Sequence, residues 1–78
     1  MEANQRIEYI VAIFTYSIGS LTEYFSTQFF NADGDIYSDL DEVTNFFKSY
    51  EQAHEFTAHL IEVGHKQPVV IPITIFEE

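Results

Sequence analysis

The residues whose types and spacing come nearest to a ligand site lie between positions 31 and 42. Asn31, Asp33, Asp35, Tyr37, Asp39 and Glu42 stand at loop positions 1, 3, 5, 7, 9 and 12 of a calcium-binding EF-hand. The pattern departs where that loop needs its sharp turn, because position 6 is Ile36 and the glycine is Gly34. No helical pattern leads into the stretch. The spacing therefore supports at most a weak calcium-binding module, and a solvated acidic turn fits it better.

Other chemistry finds less support. Asp33 with Asp35, or Asp39 with Asp41, could form an acid/base pair only if burial or crowding kept one carboxyl protonated. Nothing in an acidic turn does that. His54 and His59 are five residues apart, which rotates them away from each other on a helix. Glu55, His59 and Glu62 share one face and could present a polar surface, but solvated side chains are the simpler reading. No base is assembled near a serine, and no glycine-rich phosphate loop exists. The expectation is a protein that is not an enzyme and needs no cofactor.

Charge says more. The chain has 78 residues, with 13 Asp and Glu against 3 Lys and Arg, for a net charge of −10. Proteins that bind nucleic acid neutralise phosphates with Lys and Arg, so direct nucleic-acid binding is not expected. An anionic membrane would also repel the chain, and no apolar run approaches the roughly 20 residues of a spanning helix. A basic protein surface is the natural partner. The absence of cysteine removes disulfides and thiolate metal sites and favours a cytoplasmic setting. The opening residues lack the pattern of a signal peptide.

The composition nevertheless demands a folded core. Hydrophobic residues make up 46% of the chain, including 8 Phe and 5 Tyr, too many for a disordered acidic tail. One domain over residues 1–78 is expected, with residues 1–5 flexible. Residues 7–16 alternate as a strand with apolar groups on both faces, which suggests a central strand or one whose second face meets another subunit. Residues 17–20 suit a turn, and residues 22–30 a returning antiparallel strand. Asp33-Gly34 marks a second tight turn. Residues 38–41 read as a turn before a short extended segment, with a short helix as the competitor.

The clearest helix begins after Ser49, whose spacing to Gln52 matches a capping box. Its apolar stripe is Ala53, Phe56, Leu60 and Val63, and Gly64 is suited to end it. The closing strand over residues 69–76 contains Pro72, which places it at a sheet edge or bulge. The fold class is α+β, a small antiparallel sheet of three to four strands with one main helix on one face, in the order β-β-(β)-α-β.

The passage from Ser38 to Ala53, above all Phe47-Lys48-Ser49-Tyr50-Glu51-Gln52-Ala53, resembles short acidic accessory proteins of bacteriophages or mobile elements. The resemblance implies a hairpin, then a capped helix and a last strand, with Phe47 at the sheet end and Ala53 at a close helix–sheet contact. The acidity is also similar to that of phage inhibitors that imitate DNA. It implies a host nucleic-acid-handling or defence protein as the partner, met in the host cytoplasm. The residues expected to carry such binding are Asp33, Asp35, Tyr37, Asp39, Asp41, Glu42, Glu51 and Glu55. Tyr24 and Tyr50 could add apolar anchors. A homodimer through an aromatic sheet face, in a structural or accessory role, is the alternative.

Overall fold

The computed structural model describes residues 4–18 and 23–77. Four strands form one antiparallel sheet: β1 (Asn4–Ile18), β2 (Glu23–Phe30), β3 (Ile36–Tyr37) and β4 (Val69–Glu77). Their spatial order is β3-β2-β1-β4. A single helix, α1 (Tyr50–Glu62), connects to β4, and a 3-10 turn occupies Leu40–Glu42. This is the α+β architecture expected from the sequence, with the strand order β-β-β-α-β along the chain.

β1 is the organising element. Its first part, Asn4 to Ala12, pairs with Glu77 to Val69 of β4, while Val11 to Ile18 pairs with Phe30 to Glu23 of β2. Only Val11 and Ala12 have a named strand on both sides. The two pairings run off in opposite directions, which draws the molecule out to 56 × 27 × 16 Å. β1 is longer at both ends than residues 7–16. It includes Asn4 and Gln5 at its start, and also Ser17 and Ile18, where the sequence predicts a turn. Gly19 and Ser20, the rest of that turn, lie outside the described residues, as does Thr22. β4 is an edge strand, where Pro72, opposite Tyr9, costs no ladder hydrogen bond on the open side.

Side-chain alternation decides what packs under the helix. Val11 and Ile13 of β1 join Phe30, Phe47, Ala53 and Leu60 in one buried cluster, flanked by Tyr9, Phe56 and Val70. Ala53 is fully buried, so its small side chain brings the helix close to the sheet. Phe47 reaches this core because its backbone makes a bridge with Tyr9 in both directions. Tyr9 N–H donates to the Phe47 carbonyl at 2.9 Å, and Phe47 N–H donates to the Tyr9 carbonyl at 2.8 Å. After the 3-10 turn the chain is extended at Val43 and at the Phe47 bridge, but Asn45 between them takes a left-handed φ of 57°, so the expected extended segment is interrupted there.

The helix ends follow from their sequence. Ser49 Oγ accepts from Gln52 N–H at 3.2 Å, satisfying one of the N–H groups a helix start leaves unpaired. At the other end His65 N–H donates to the Leu60 carbonyl and Gly64 N–H to the Ile61 carbonyl. That pair of bonds is a Schellman cap, and Gly64 supplies its left-handed residue with φ 104°. One expected stripe position is corrected. Val63 is 60% exposed, because it sits at the cap as the chain turns away, and Thr57 is buried in the stripe instead. Thr57 meets the cost of burying its hydroxyl by donating to the His54 carbonyl at 2.6 Å.

On the opposite sheet face Glu8 is buried, with its Oε2 accepting from Lys48 Nζ at 2.9 Å and from Arg6 Nε at 3.0 Å. The Lys48 hydrogen bond holds the Glu8 carboxyl below its ordinary range against the opposing effect of burial, with Arg6 adding to it. The lysine is forty residues away in sequence, so the pair ties the start of the sheet to the residues before α1.

Three outcomes follow. Ser49→Ala should cost about 1 kcal/mol in urea unfolding through the lost cap. Gly64→Ala should cost about 1 kcal/mol through its positive φ alone, since a Cβ there meets nothing within 4 Å. Because the folded-state pKa of Glu8 is lowered, its contribution is present above the ordinary glutamate range and is lost as pH falls through the lowered value. The acid limb of a urea-midpoint-versus-pH curve should therefore be shallower in Glu8→Gln than in the native chain.

Candidate functional site

The acidic segment is held by one buried side chain. Asn31 follows the last residue of β2 and is 1% exposed. Its Oδ1 accepts from the backbone N–H of Asp33 at 3.0 Å and of Asp35 at 2.9 Å. Its Nδ2 donates to the Thr44 carbonyl at 2.8 Å and to Tyr37 Oη at 3.3 Å. Asparagine suits this place because one amide offers an acceptor to a turn and donors to a second strand of chain. Gly34 N–H donates to the Asn31 carbonyl at 3.0 Å, and Gly34 itself takes φ 80°. The tight turn expected at Asp33-Gly34 is thus formed, and it delivers the chain into β3.

The same arrangement explains why the calcium-loop spacing does not become a calcium loop. The side-chain oxygen at position 1 points inward and is taken by two backbone N–H groups of the turn. Among the described residues no group of three His, Cys, Asp or Glu side chains is placed to hold a metal ion.

A second tie closes the segment. Asn45, with φ 57°, donates from Nδ2 to Asp33 Oδ2 at 2.6 Å, and Ala32 N–H donates to the Asn45 carbonyl at 3.0 Å. A Cβ built on Gly34 would lie 3.8 Å from the Phe56 ring, so the turn rests against α1. Phe56 in turn packs on Phe30 and Phe47, with ring centroids 5.5 and 5.4 Å apart. The acidic turn is therefore seated on the aromatic core.

The expected binding residues stand as follows. Asp33, Asp35, Asp39, Asp41 and Glu42 are exposed, and so are Glu51 and Glu55 in the first half of α1. Asp41 and Glu42 belong to the 3-10 turn, and Asp39 stands just before its start without a capping side-chain bond. Tyr37 is half-buried, with its hydroxyl 3.5 Å from Thr44 Oγ1. Among the described residues none of the seven acids takes part in an ion pair, whereas Arg6 and Lys48 both bond Glu8. Tyr50 is 54% exposed and stacks on His54 at 5.8 Å while its edge meets Tyr9 at 6.0 Å. The side chain of Tyr24 lies outside the described residues.

The sequence reading passed over Asn31 as an organiser, although an asparagine two residues before Asp-Gly is a signal for a side-chain-closed turn. Arg6 and Glu8 are two residues apart on one strand face, but Asn45 and the Lys48–Glu8 pair had no local signal. Their partners come from distant parts of the chain.

These features define a two-layer α+β domain with an ordered acidic rim. No family model, curated protein or solved structure matches the chain. No helix of the described residues is long and apolar enough to cross a membrane.

Removing the organiser should show its role. Asn31→Ala should destabilise the domain by about 2 kcal/mol, since it removes the partner of the Asp33 and Asp35 N–H groups and of the Thr44 carbonyl. Hydrogen exchange should then report faster exchange at the Asp33 and Asp35 amides than in the native chain.

Proposed function

We propose that this domain is a non-catalytic protein-binding module, which places its acidic rim on a basic surface of a nucleic-acid-handling or defence protein and acts there as an inhibitor or DNA mimic. The observation that supports this reading most is the state of the acids. Seven exposed carboxylates sit on ordered elements of one small domain, unpaired with cations among the described residues. A field of one sign, held on a rigid frame, speeds encounter with an oppositely charged surface and repels nucleic acid.

Rigidity matters as much as sign. Asp33 is held by Asn45, Asp35 is fixed through its backbone to Asn31, and Glu51 and Glu55 ride on α1. Carboxylates held at fixed spacings can mimic a row of phosphates more closely than a flexible tail. Half-buried Tyr37 and exposed Tyr50 supply aromatic surface beside the charge, and aromatic anchors of this kind carry much of the energy in protein interfaces.

The experiment is affinity capture from lysate of the native host, repeated with Asp39→Lys, Asp41→Lys and Glu42→Lys combined. The exposed positions allow the triple variant to fold, which circular dichroism checks. Capture of the specific partner should fall at least tenfold, and the native interaction should weaken as salt rises. Undiminished capture by a folded triple variant would refute the placement of the binding surface.

A further inference from the structure

β1 outruns the strand beside it. Its pairing with β4 reaches only to Val69, opposite Ala12, and from there the chain before Val69 leaves the sheet through Pro68 and Gln67, the latter at φ 55°. From residue 13 to residue 18, β1 has β2 on one side and no described strand on the other. β2 is equally bare, because β3 pairs only with its Phe29 and Phe30. Residues 13–18 and 23–28 therefore form a ribbon of two strands. Phe14 and Tyr16 on it are 58% and 48% exposed. Such a ribbon is marginal in water and gains stability when a third strand joins it.

The direction of the open backbone groups follows from Tyr9. Its N–H and carbonyl both bond Phe47, while Pro72 lies on its β4 side. By strand alternation the odd-numbered residues of β1 turn their polar groups toward β2, and Phe14 and Ile18 turn theirs toward the line that β4 has vacated. This edge is also unprotected. Ile13-Phe14-Thr15-Tyr16-Ser17-Ile18 holds no charge and no proline, the devices that ordinarily blunt an open edge.

That neutrality identifies the occupant. In a chain of net charge −10, an edge serving a basic peptide would gain from carboxylates along it, whereas an edge serving a second acidic copy must lack them. The copy's ribbon has the same deficit, and one contact joins the two ribbons into four strands in the order β2-β1-β1-β2. The vacated length sets the register. With the β1 strands antiparallel about a two-fold axis at Tyr16, Phe14 of each copy pairs with Ile18 of the other, and Ile13 separates that pair from Ala12 and Val69. An axis at Thr15 would drive Ile18 of the copy into the place of Val69.

The charges then stand apart. Val11 lies under α1 and beside Phe30, where the acidic turn begins. Five residues from the axis, it is roughly 33 Å from its counterpart at about 3.3 Å per residue. Glu23, beside Ile18, is roughly 20 Å from its counterpart across three strand spacings. Both separations exceed the screening length of about 10 Å at 0.1 M salt.

We propose that residues 13–18 of β1 pair with the same segment of a second copy, forming a two-fold dimer with one continuous sheet. The proposal is independent of the acidic rim's partner. Salt separates the two contacts: capture of a basic partner weakens as salt rises, whereas this dimer tightens as the repulsion between acidic chains is screened.

Sedimentation velocity and crosslinking of the full chain test it. The expected mass is twice that of the 9.1 kDa chain, with the dimer fraction rising as salt is added. Tyr16→Lys should give a monomer with native circular dichroism, while Ile61→Lys, at an exposed position of α1, should remain dimeric. The chain has no cysteine, so single thiols report the register. Tyr16→Cys sets two Cα atoms about 5.5 Å apart across the axis, within disulfide reach, and Phe14→Cys sets them roughly 13 Å apart. Under mild oxidation Tyr16→Cys should crosslink at least tenfold faster, a comparison that still decides if Tyr16→Lys unfolds the chain. Equal crosslinking rates, or a native monomer at several hundred micromolar in high salt, would overturn the proposal. So would a monomeric native chain that loses a captured protein through Tyr16→Lys, since the edge would then belong to that protein.

Discussion

β1 is fifteen residues long, and neither neighbour accompanies it for its whole length. That mismatch of lengths and registers constrains nearly everything else. Where β2 leaves off at Phe30, the position next to Tyr9 falls vacant on the sheet edge, and the backbone of Phe47 occupies it. Occupying it fixes where the segment before the helix must run. With Phe47 pinned, Ser49 starts the helix directly above the sheet, and Ala53, Phe56 and Leu60 descend onto the side chains of Val11, Ile13 and Phe30. Lys48, one residue on, is brought to Glu8 by the same two backbone bonds. A single bridge thus sets the helix, the aromatic core and the buried carboxylate of Glu8.

Much of this was legible in the chain because it is local. Helix α1 announces itself through Ser49, Gln52 and Gly64, and both caps form as their residues demand. The edge position of β4 was written in Pro72. The turn after β2 was marked by Asp33-Gly34. What escaped reading depends on residues distant in sequence. The stagger of β1 arises from which residues of β2 and β4 pair with it; alternation excludes a one-residue slip but leaves slips of two residues open. The expected turn at Ser17 and Ile18 failed for the same reason: a strand continues for as long as a partner lies alongside. Val63 has helical spacing with the stripe, yet it falls where the backbone leaves the helix, so its side chain no longer points at the sheet.

The acidic segment was visible as composition but not as construction. Its acids were plain at Asp33, Asp35, Asp39, Asp41 and Glu42. That Asp33 and Asp35 stand on a fixed frame follows from Asn31, whose amide spans the turn and the Thr44 backbone, and from Asn45, whose left-handed backbone turns its amide to Asp33. Two neutral side chains therefore place the charges. They also remove the oxygen that a calcium loop would have used first, so a cation-binding spacing and a rigid anionic surface are competing uses of one set of residues.

The edges of the sheet carry a consequence of their own. β3 offers only two residues of backbone to a newcomer. β4 is long, but at its midpoint Pro72 presents a ring in place of an N–H, which interrupts any strand that tries to lengthen the sheet sideways. Lateral pairing is thus interrupted along β4, whereas β1 from Ile13 to Ile18, beyond the end of β4, keeps backbone with no described strand beside it.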